Sequence, residues 1–239
     1  MAKNPKPRSA KKHKGRVIVV DGVDGAGKTT QTALLISALE KQGRTVKTLR
    51  FPVYKGNFFG GLIRECLDGK HGDFIALDPR IASALYAADR FESSKQIREW
   101  LDKGYVVVLD RYVSSNQIHQ GGKCKTAKER REFLTWIDTM EHEIFGIPRP
   151  DVIIYLSLPF AESMRLIEER TAKGGTKDLA DSDPKYLEES RKSALSIIKE
   201  RNNWKMIECY QKGKGAKSGG LKSIDEIHGM VMEEVKAVL

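Results

Sequence analysis

Short runs rich in β-branched and apolar residues alternate along the chain with longer stretches whose apolar residues recur every three or four positions. The runs RVIVV (16–20), TVKTLR (45–50), YVVVL (105–109), VIIYLSL (152–158) and WKMIEC (204–209) predict strands. The periodic stretches predict helices over 28–42, 57–69, 78–103, 126–144, 160–170, 184–202 and 223–238. VIVV and VVVL are apolar on both faces, as strands are when helices cover both sides of a parallel sheet. The alternation therefore implies a doubly wound α/β fold with a five-stranded parallel sheet and helices on both faces. Two segments break the pattern, TAKGGTKDLADSD (171–183) and QKGKGAKSGGLK (211–222). Their Gly, Lys and polar content suits surface connections or lids over a site.

Charge changes this picture at one end only. The net charge of +10 would suggest a nucleic-acid binder if it were spread over a folded surface. Residues 1–16 instead carry seven Lys/Arg and no acid, leaving 35 bases against 32 acids, or +3, for the rest. With two prolines and almost nothing apolar, residues 1–15 read as a disordered basic leader, and nucleic acid is not the expected partner of the body. Residues 16–239 then form a single domain, a normal size for one core. No apolar run approaches the ~18 residues of a membrane span and no signal-peptide core follows the leader, so the expected location is cytoplasmic, away from membranes. Cys66, Cys124 and Cys209 have no paired spacing, which argues against a disulfide framework or a zinc site.

The chemistry starts at GVDGAGKT, Gly22 to Thr29, which satisfies G-x-x-x-x-G-K-[ST] between an apolar strand and a helix. Gly22, Gly25 and Gly27 let backbone N–H groups approach phosphate oxygens, and the helix start adds partial positive charge. Lys28 would reach the β and γ phosphates, and Thr29 would offer its hydroxyl to Mg²⁺. The loop alone does not separate a switch from a motor or a kinase. Asp110 and Arg111 end a buried strand, where ligands bind in open α/β sheets. An acid there can hold Mg²⁺, and an arginine can grip phosphate with its planar fork. Tyr86 and Arg90 fall one helical turn apart on one face.

The motifs DGVDGAGKTTQ, RFP (50–52), LYAADRFE (85–92), DRYVSS with QGG (110–122) and RPDVIIYLSL (149–158) together resemble the thymidylate (dTMP) kinases among the P-loop nucleoside monophosphate kinases. The resemblance covers nearly all of 16–238. It implies a P-loop kinase fold, transfer of the γ-phosphoryl of Mg-ATP to dTMP, and a homodimer. It assigns the ATP phosphates and metal to Gly22, Asp24, Gly25, Ala26, Gly27, Lys28, Thr29 and Thr30, with Asp110 near Mg²⁺. Arg111 is similar to the arginine that clamps the dTMP phosphate. Tyr86 stands where an aromatic stacks on thymine, and Arg90 where an arginine bonds the base. Ser115, His119 and Gln120 line that pocket with Phe51 and Tyr54, and Asp24 matches a carboxylate near the sugar 3′-hydroxyl. Alternatives within reach are another nucleoside or nucleoside monophosphate kinase, or a non-enzymatic nucleotide-binding protein.

The chain departs from the family pattern in three places, and Gly25 decides between two arrangements that the family uses. Tyr54 stands where FPxR has an arginine, so one phosphate contact becomes neutral unless Lys55 or Arg50 substitutes. His119 replaces the aromatic of AYQG that excludes a 2′-hydroxyl. Gly25 stands where some members carry a catalytic arginine, which moves the expected cation to a lid at about 170–183, with Arg170, Lys173 and Lys177 as candidates. That lid reads KGGTKDLAD and lacks the usual DR.

Overall fold

Parallel strands buried on both faces need two cores, and this chain builds both from one alternation. The computed structural model describes residues 14–174, 183–213 and 219–239. Most of the expected leader (1–13), most of the lid with Lys177 (175–182) and residues 214–218 lie outside them. Strands β1 (Arg16–Gly22), β2 (Val46–Arg50), β3 (Val106–Asp110), β4 (Val152–Ser157) and β5 (Trp204–Glu208) form one parallel sheet in the order β2-β3-β1-β4-β5. The expected five-stranded sheet is thus present. Val17 and Val19 of β1 join Val107, Leu109, Ile153 and Tyr155 in one buried cluster, whereas Ile18 and Val20 join Val106, Val108, Val152 and Ile154 in the other. A register slip of one residue would exchange the two sets, so the register is fixed from both sides.

Helices α1 (Lys28–Lys41) and α8 (Ile224–Lys236) close the second core through Leu35, Leu39, Ile227, Val231 and Val235. The first is closed by α3 (Pro79–Asp102), α4 (Val113–His119), α5 (Ala127–Asp138) and α7 (Pro184–Glu200) through residues such as Ile97, Ile118, Phe133 and Ile197. α2 (Phe58–Leu67) lies on α3 over a satellite cluster of Ile63, Leu67, Phe74 and Ala82, and α6 (Phe160–Ala172) follows β4. Several helix starts are closed by their own sequence. Asp78 and Asp183 cap α3 and α7 ahead of a proline, and Thr126 with Glu129 and Ser223 with Glu226 form capping boxes on α5 and α8. α1 starts instead from left-handed Gly27, with no side chain over its first amides.

Most expected elements are present with their ends displaced by a residue or two. The helix expected over 126–144 is corrected: α5 ends at Asp138 and a π-helical turn spans Thr139–Ile144, with Phe145 N–H bonded to the carbonyl of Met140. That turn carries Glu141, fully buried against Arg90 and Asn116. Three elements have no counterpart in the sequence reading: α4, a 3₁₀ turn at Gly121–Lys123, and a hairpin of β6 (Tyr210–Gln211) with β7 (Gly220–Leu221). Each is too short for a period to register. The three cysteines are free. Among the described residues, no helix is long and apolar enough to cross a membrane.

The fold brings the C-terminal ends of β1, β2 and β3 side by side, with Val20 and Arg50 both in register with Asp110. The crossover after β1 runs through α1 on one sheet face and that after β3 through α4 and α5 on the other, which opens a crevice between the loops after β1 and β3. α2 is seated against the loop after β2 so closely that a Cβ on Gly60 would lie 2.0 Å from the carbonyl oxygen of Val53. Asp89 of α3 locks the same loop, accepting from Val53 N–H and Asn57 Nδ2. Gly60→Ala should therefore cost about 1–3 kcal/mol by overpacking. Thermal unfolding would register this as a Tm lowered by roughly 3–10 °C, and an unchanged Tm would show that α2 moves away freely.

Candidate active site

Beyond β1 the chain must turn tightly while keeping amides free for an anion. Asp21, fully buried, accepts from Gly22 N–H at 2.9 Å and from the hydroxyls of Ser114 and Ser115, both at 2.7 Å. It ties the loop after β1 to α4, and it takes up the hydroxyl of Ser115. Gly22 ends the strand against Leu156, and Ala26 is packed into the core, so neither lines the main cavity. Gly25 has φ +83°, and a Cβ there would meet Cβ of Leu166 on α6 at 2.8 Å. A side chain at this position has no room, and an arginine could stand here only if α6 withdrew.

A cavity of ≈ 770 Å³ opens at this edge. Its wall includes Asp24, Gly25, Gly27, Lys28, Thr29 and Thr30 on the loop side, and Phe51, Tyr54, Tyr86, Arg90, Arg111, Ser115, His119 and Gln120 opposite. Arg170 of α6, one helical turn beyond Leu166, lines it as well. The structure therefore brings the residues selected from the sequence into one space, apart from Gly22, Ala26 and Asp110 and, among the described candidate cations, Lys55 and Lys173.

Asp24 sits between the two principal cations. Its Oδ1 accepts from Lys28 Nζ at 2.9 Å and from Arg111 Nη2 at 2.6 Å. Burial alone would raise the Asp24 pKa, but Lys28 and Arg111 overcome it and hold the carboxyl far below the usual range. Lys28 spends its other donors on the carbonyls of Gly22 (3.0 Å) and Val23 (2.9 Å), and burial draws its pKa down against the pull of Asp24. Burial works against the charge of Arg111 too; Asp24, Asp21 and Asp110 outweigh it and keep the guanidinium above its ordinary value. The backbone of Arg111 is left-handed, φ 65°, with its N–H on the carbonyl of Val20. This is a conformation a non-glycine residue adopts at a cost of about 1–2 kcal/mol. Continuing the strand would carry the side chain past the crevice instead of into it.

Asp110 lies just behind this wall. Its Oδ2 is 3.4 Å from the Thr29 hydroxyl and 3.5 Å from Arg50 Nε, and its Oδ1 is buried without a hydrogen-bond partner among the described residues. Two hard oxygen donors, one of them an orphaned carboxylate atom, suit Mg²⁺ completed by phosphate oxygens and water. Among the described residues, no cluster of three or more His, Cys, Asp or Glu forms a self-sufficient metal site.

On the opposite wall Tyr86 packs on Phe74, with ring centroids 5.7 Å apart. Arg90 is buried; Glu141 takes its Nε at 2.6 Å and Nη2 at 2.7 Å, and Nη1 is 3.4 Å from the carbonyl of Tyr112. The side-chain oxygen of Gln120 is buried without a partner among the described residues. At Tyr54 a cation is at hand: the guanidinium of Arg64 lies 5.6 Å from the ring centroid, and Arg64 also lines the cavity while pairing with Asp68. Arg50, one expected substitute, is drawn to Asp110.

A wall this specific can be compared with known proteins. The sequence profile of the family described as thymidylate kinase matches residues 20–217. The chain belongs to the thymidylate kinase family. It is 33% identical over 225 residues to a probable thymidylate kinase of Pyrococcus abyssi, covering 93% of this chain and 97% of that one. It is 34% identical over 169 residues to the thymidylate kinase of Mycobacterium tuberculosis, covering 68% and 73%. The solved thymidylate kinase of Candida albicans superposes with a TM-score of 0.70 at 24% identity, over 95% of this chain and 93% of that one, which shows the shared fold.

Sequence reasoning missed several residues of this thymidylate kinase site. Glu141 lies on a π-turn no pattern announces, Arg64 is half-hidden in the apolar spacing of α2, and Tyr186 and Ser190 of α7 reach the site from 67 and more residues beyond His119 in the chain. His119 stacks on the Tyr186 ring (centroids 5.8 Å apart, 17° between planes) and contacts Arg111 and Ser190. Burial first, and the Arg111 charge second, push the His119 pKa down to about 4, against the pull of Asp24 and Asp21. The unfolded chain therefore takes up this proton before the folded one does. The stability involved is fully present above about pH 6.5 and is lost as pH falls toward 4. Urea unfolding across that window should show a shallower loss for His119→Phe than for the natural chain. Equal slopes would mean that the imidazole is protonated without penalty.

Proposed function

We propose that the chain transfers the γ-phosphoryl group of ATP to dTMP, releasing ADP and dTDP. The observation that carries this reading is the single crevice shared by a phosphate-binding loop and an aromatic-and-arginine wall, joined through Asp24. A switch or motor needs only the first of these, whereas a kinase needs both. Phosphoryl transfer asks little covalent chemistry of a protein, and most of the barrier is lowered by alignment and charge neutralisation. No histidine base is required, because the acceptor phosphate is already ionised near neutral pH.

The roles follow from where each group lies. The amides from Gly25 to Thr30 and Lys28 cradle the donor phosphates, and Lys28 gives up loop carbonyls to do so. Thr29 and Asp110 are the residues that would hold Mg²⁺, which when bound supplies positive charge at the donor phosphates. Arg111 presents its fork to the acceptor phosphate, with Tyr54 and Arg64 at its flank. Tyr86 offers a flat face for stacking on thymine, and Arg90, steadied by Glu141, lines the same pocket. Asp24, shared by both cations, accepts from the acceptor sugar hydroxyl. Arg170 is the candidate for the transferring phosphoryl group, since Leu166 closes the alternative place at Gly25. Pairing of two chains belongs to the same reading, supported by Ile81 and Phe91, more than half exposed along α3; so does cytoplasmic residence, which the soluble character of the family supports.

An ADP-release assay across dTMP, dUMP, dGMP, dCMP and UMP tests the reading: dTMP should be the best acceptor, and no turnover of dTMP above the others would overturn it. Arg111→Lys keeps the charge and loses the planar fork, so kcat/KM for dTMP should fall by about a hundredfold or more, roughly 3 kcal/mol of transition-state stabilisation, with ATP affinity retained. Turnover at the natural rate would show that the fork does not hold the acceptor.

A further inference from the structure

The guanidinium of Arg111 is contested. Its Nη2 is fixed on Asp24 at 2.6 Å, while Nη1 lies 3.2 Å from Nε2 of His119 and 4.0 Å from the Asp21 carboxylate. A guanidinium has donors and no acceptor, so the contact with His119 makes Nε2 the acceptor and leaves the imidazole proton on Nδ1. Nδ1 is 3.3 Å from Ser190 Oγ, and Ser190 directs its own proton to the carbonyl of Tyr186 at 2.8 Å. Every donor in this chain therefore points the same way, from Arg111 through His119 and Ser190 to the backbone of α7. The Tyr186 ring stacked on the imidazole holds its plane as well.

From this arrangement we propose that His119 is the positioning residue of Arg111: its neutral imidazole, pinned by Ser190 and Tyr186, holds Nη1 off Asp21 and keeps the guanidinium edge turned into the cavity. Asp21 and Asp24 each face one Nη atom of Arg111, at 4.0 and 2.6 Å. Without the lone pair of Nε2, Nη1 has a fully buried carboxylate as its next partner, and the fork closes onto the two acids instead of onto a phosphate. α7 thereby becomes a supporting wall of the acceptor site, although its residues lie far from the phosphate-binding loop in sequence. The proposal rests on the reading of Arg111 as the clamp of the acceptor phosphate.

Steady-state kinetics and calorimetric binding of dTMP and ATP to the natural chain, His119→Phe, His119→Gln and Ser190→Ala test it. The phenyl ring keeps the stack on Tyr186 and has no lone pair; the Gln amide restores an acceptor. His119→Phe should raise KM and Kd for dTMP about tenfold, the value of one hydrogen bond to a charged group, and leave those for ATP within about twofold. His119→Gln should recover most of the loss. Ser190→Ala, which keeps the imidazole and frees its tautomer, should raise them about threefold, and it carries the test if the Phe variant fails to fold by circular dichroism. Unchanged dTMP affinity in His119→Phe or Ser190→Ala, parallel loss of ATP and dTMP, or a Gln variant no better than Phe would each overturn the proposal. A natural chain that neither binds nor phosphorylates dTMP overturns the parent reading and this one with it. A natural chain that does both, beside a Phe variant that does so equally well, overturns this one alone.

Discussion

One carboxylate shared between two cations organises the site. Asp24 accepts from Lys28 at the start of α1 and from Arg111 after β3, so the two walls of the crevice are tied together by a single residue. The sharing is stable because the cluster is largely removed from water, where removing one partner leaves an uncompensated charge. It depends in turn on Asp21, which fixes the loop after β1 against α4, and on the left-handed backbone of Arg111, which turns the side chain back into the crevice. The parallel sheet beneath supplies the rigidity. Its two cores, drawn from alternate residues of the same strands, lock the register that places Asp110 beside Val20 and Arg50.

Much of this was legible in the amino-acid sequence, for physical reasons. Strands such as VIVV and VVVL read clearly because burial on both faces leaves no room for polar residues, and the long helices read through their three-to-four spacing. The phosphate-binding loop and the Asp110–Arg111 pair are local, each written within a few consecutive residues, and the family resemblance linked them with Tyr86 and Arg90. What was not legible is either short or long-range. α4 and the hairpin are too brief to show a period. The turn holding Glu141 differs from an α-helix by one residue in the span of its hydrogen bonds, and sequence spacing does not distinguish the two. Ser190 and Tyr186 meet His119 only because α7 packs beside α4, a contact set by tertiary folding.

The same contrast explains Gly25. In the sequence it marks a missing arginine; in the structure its place is filled by Leu166, and Arg170 follows one turn later on the same helix. Removal of one side chain and arrival of the other are two aspects of one packing arrangement. The same helix, α6, closes the first position with Leu166 and carries Arg170 to the cavity.

The Arg90–Glu141 pair has a wider consequence. Glu141 cancels the charge of Arg90 inside the protein, so that end of the crevice is close to neutral, while at the other end the two cations Lys28 and Arg111 share the single carboxylate of Asp24. The crevice is therefore polarised along its length. On the proposed function, a nucleotide drawn in by its phosphate would be oriented by that gradient before any base contact forms, and choice among bases would be left to shape and hydrogen bonding, which salt in the surrounding solution screens far less than it screens charge.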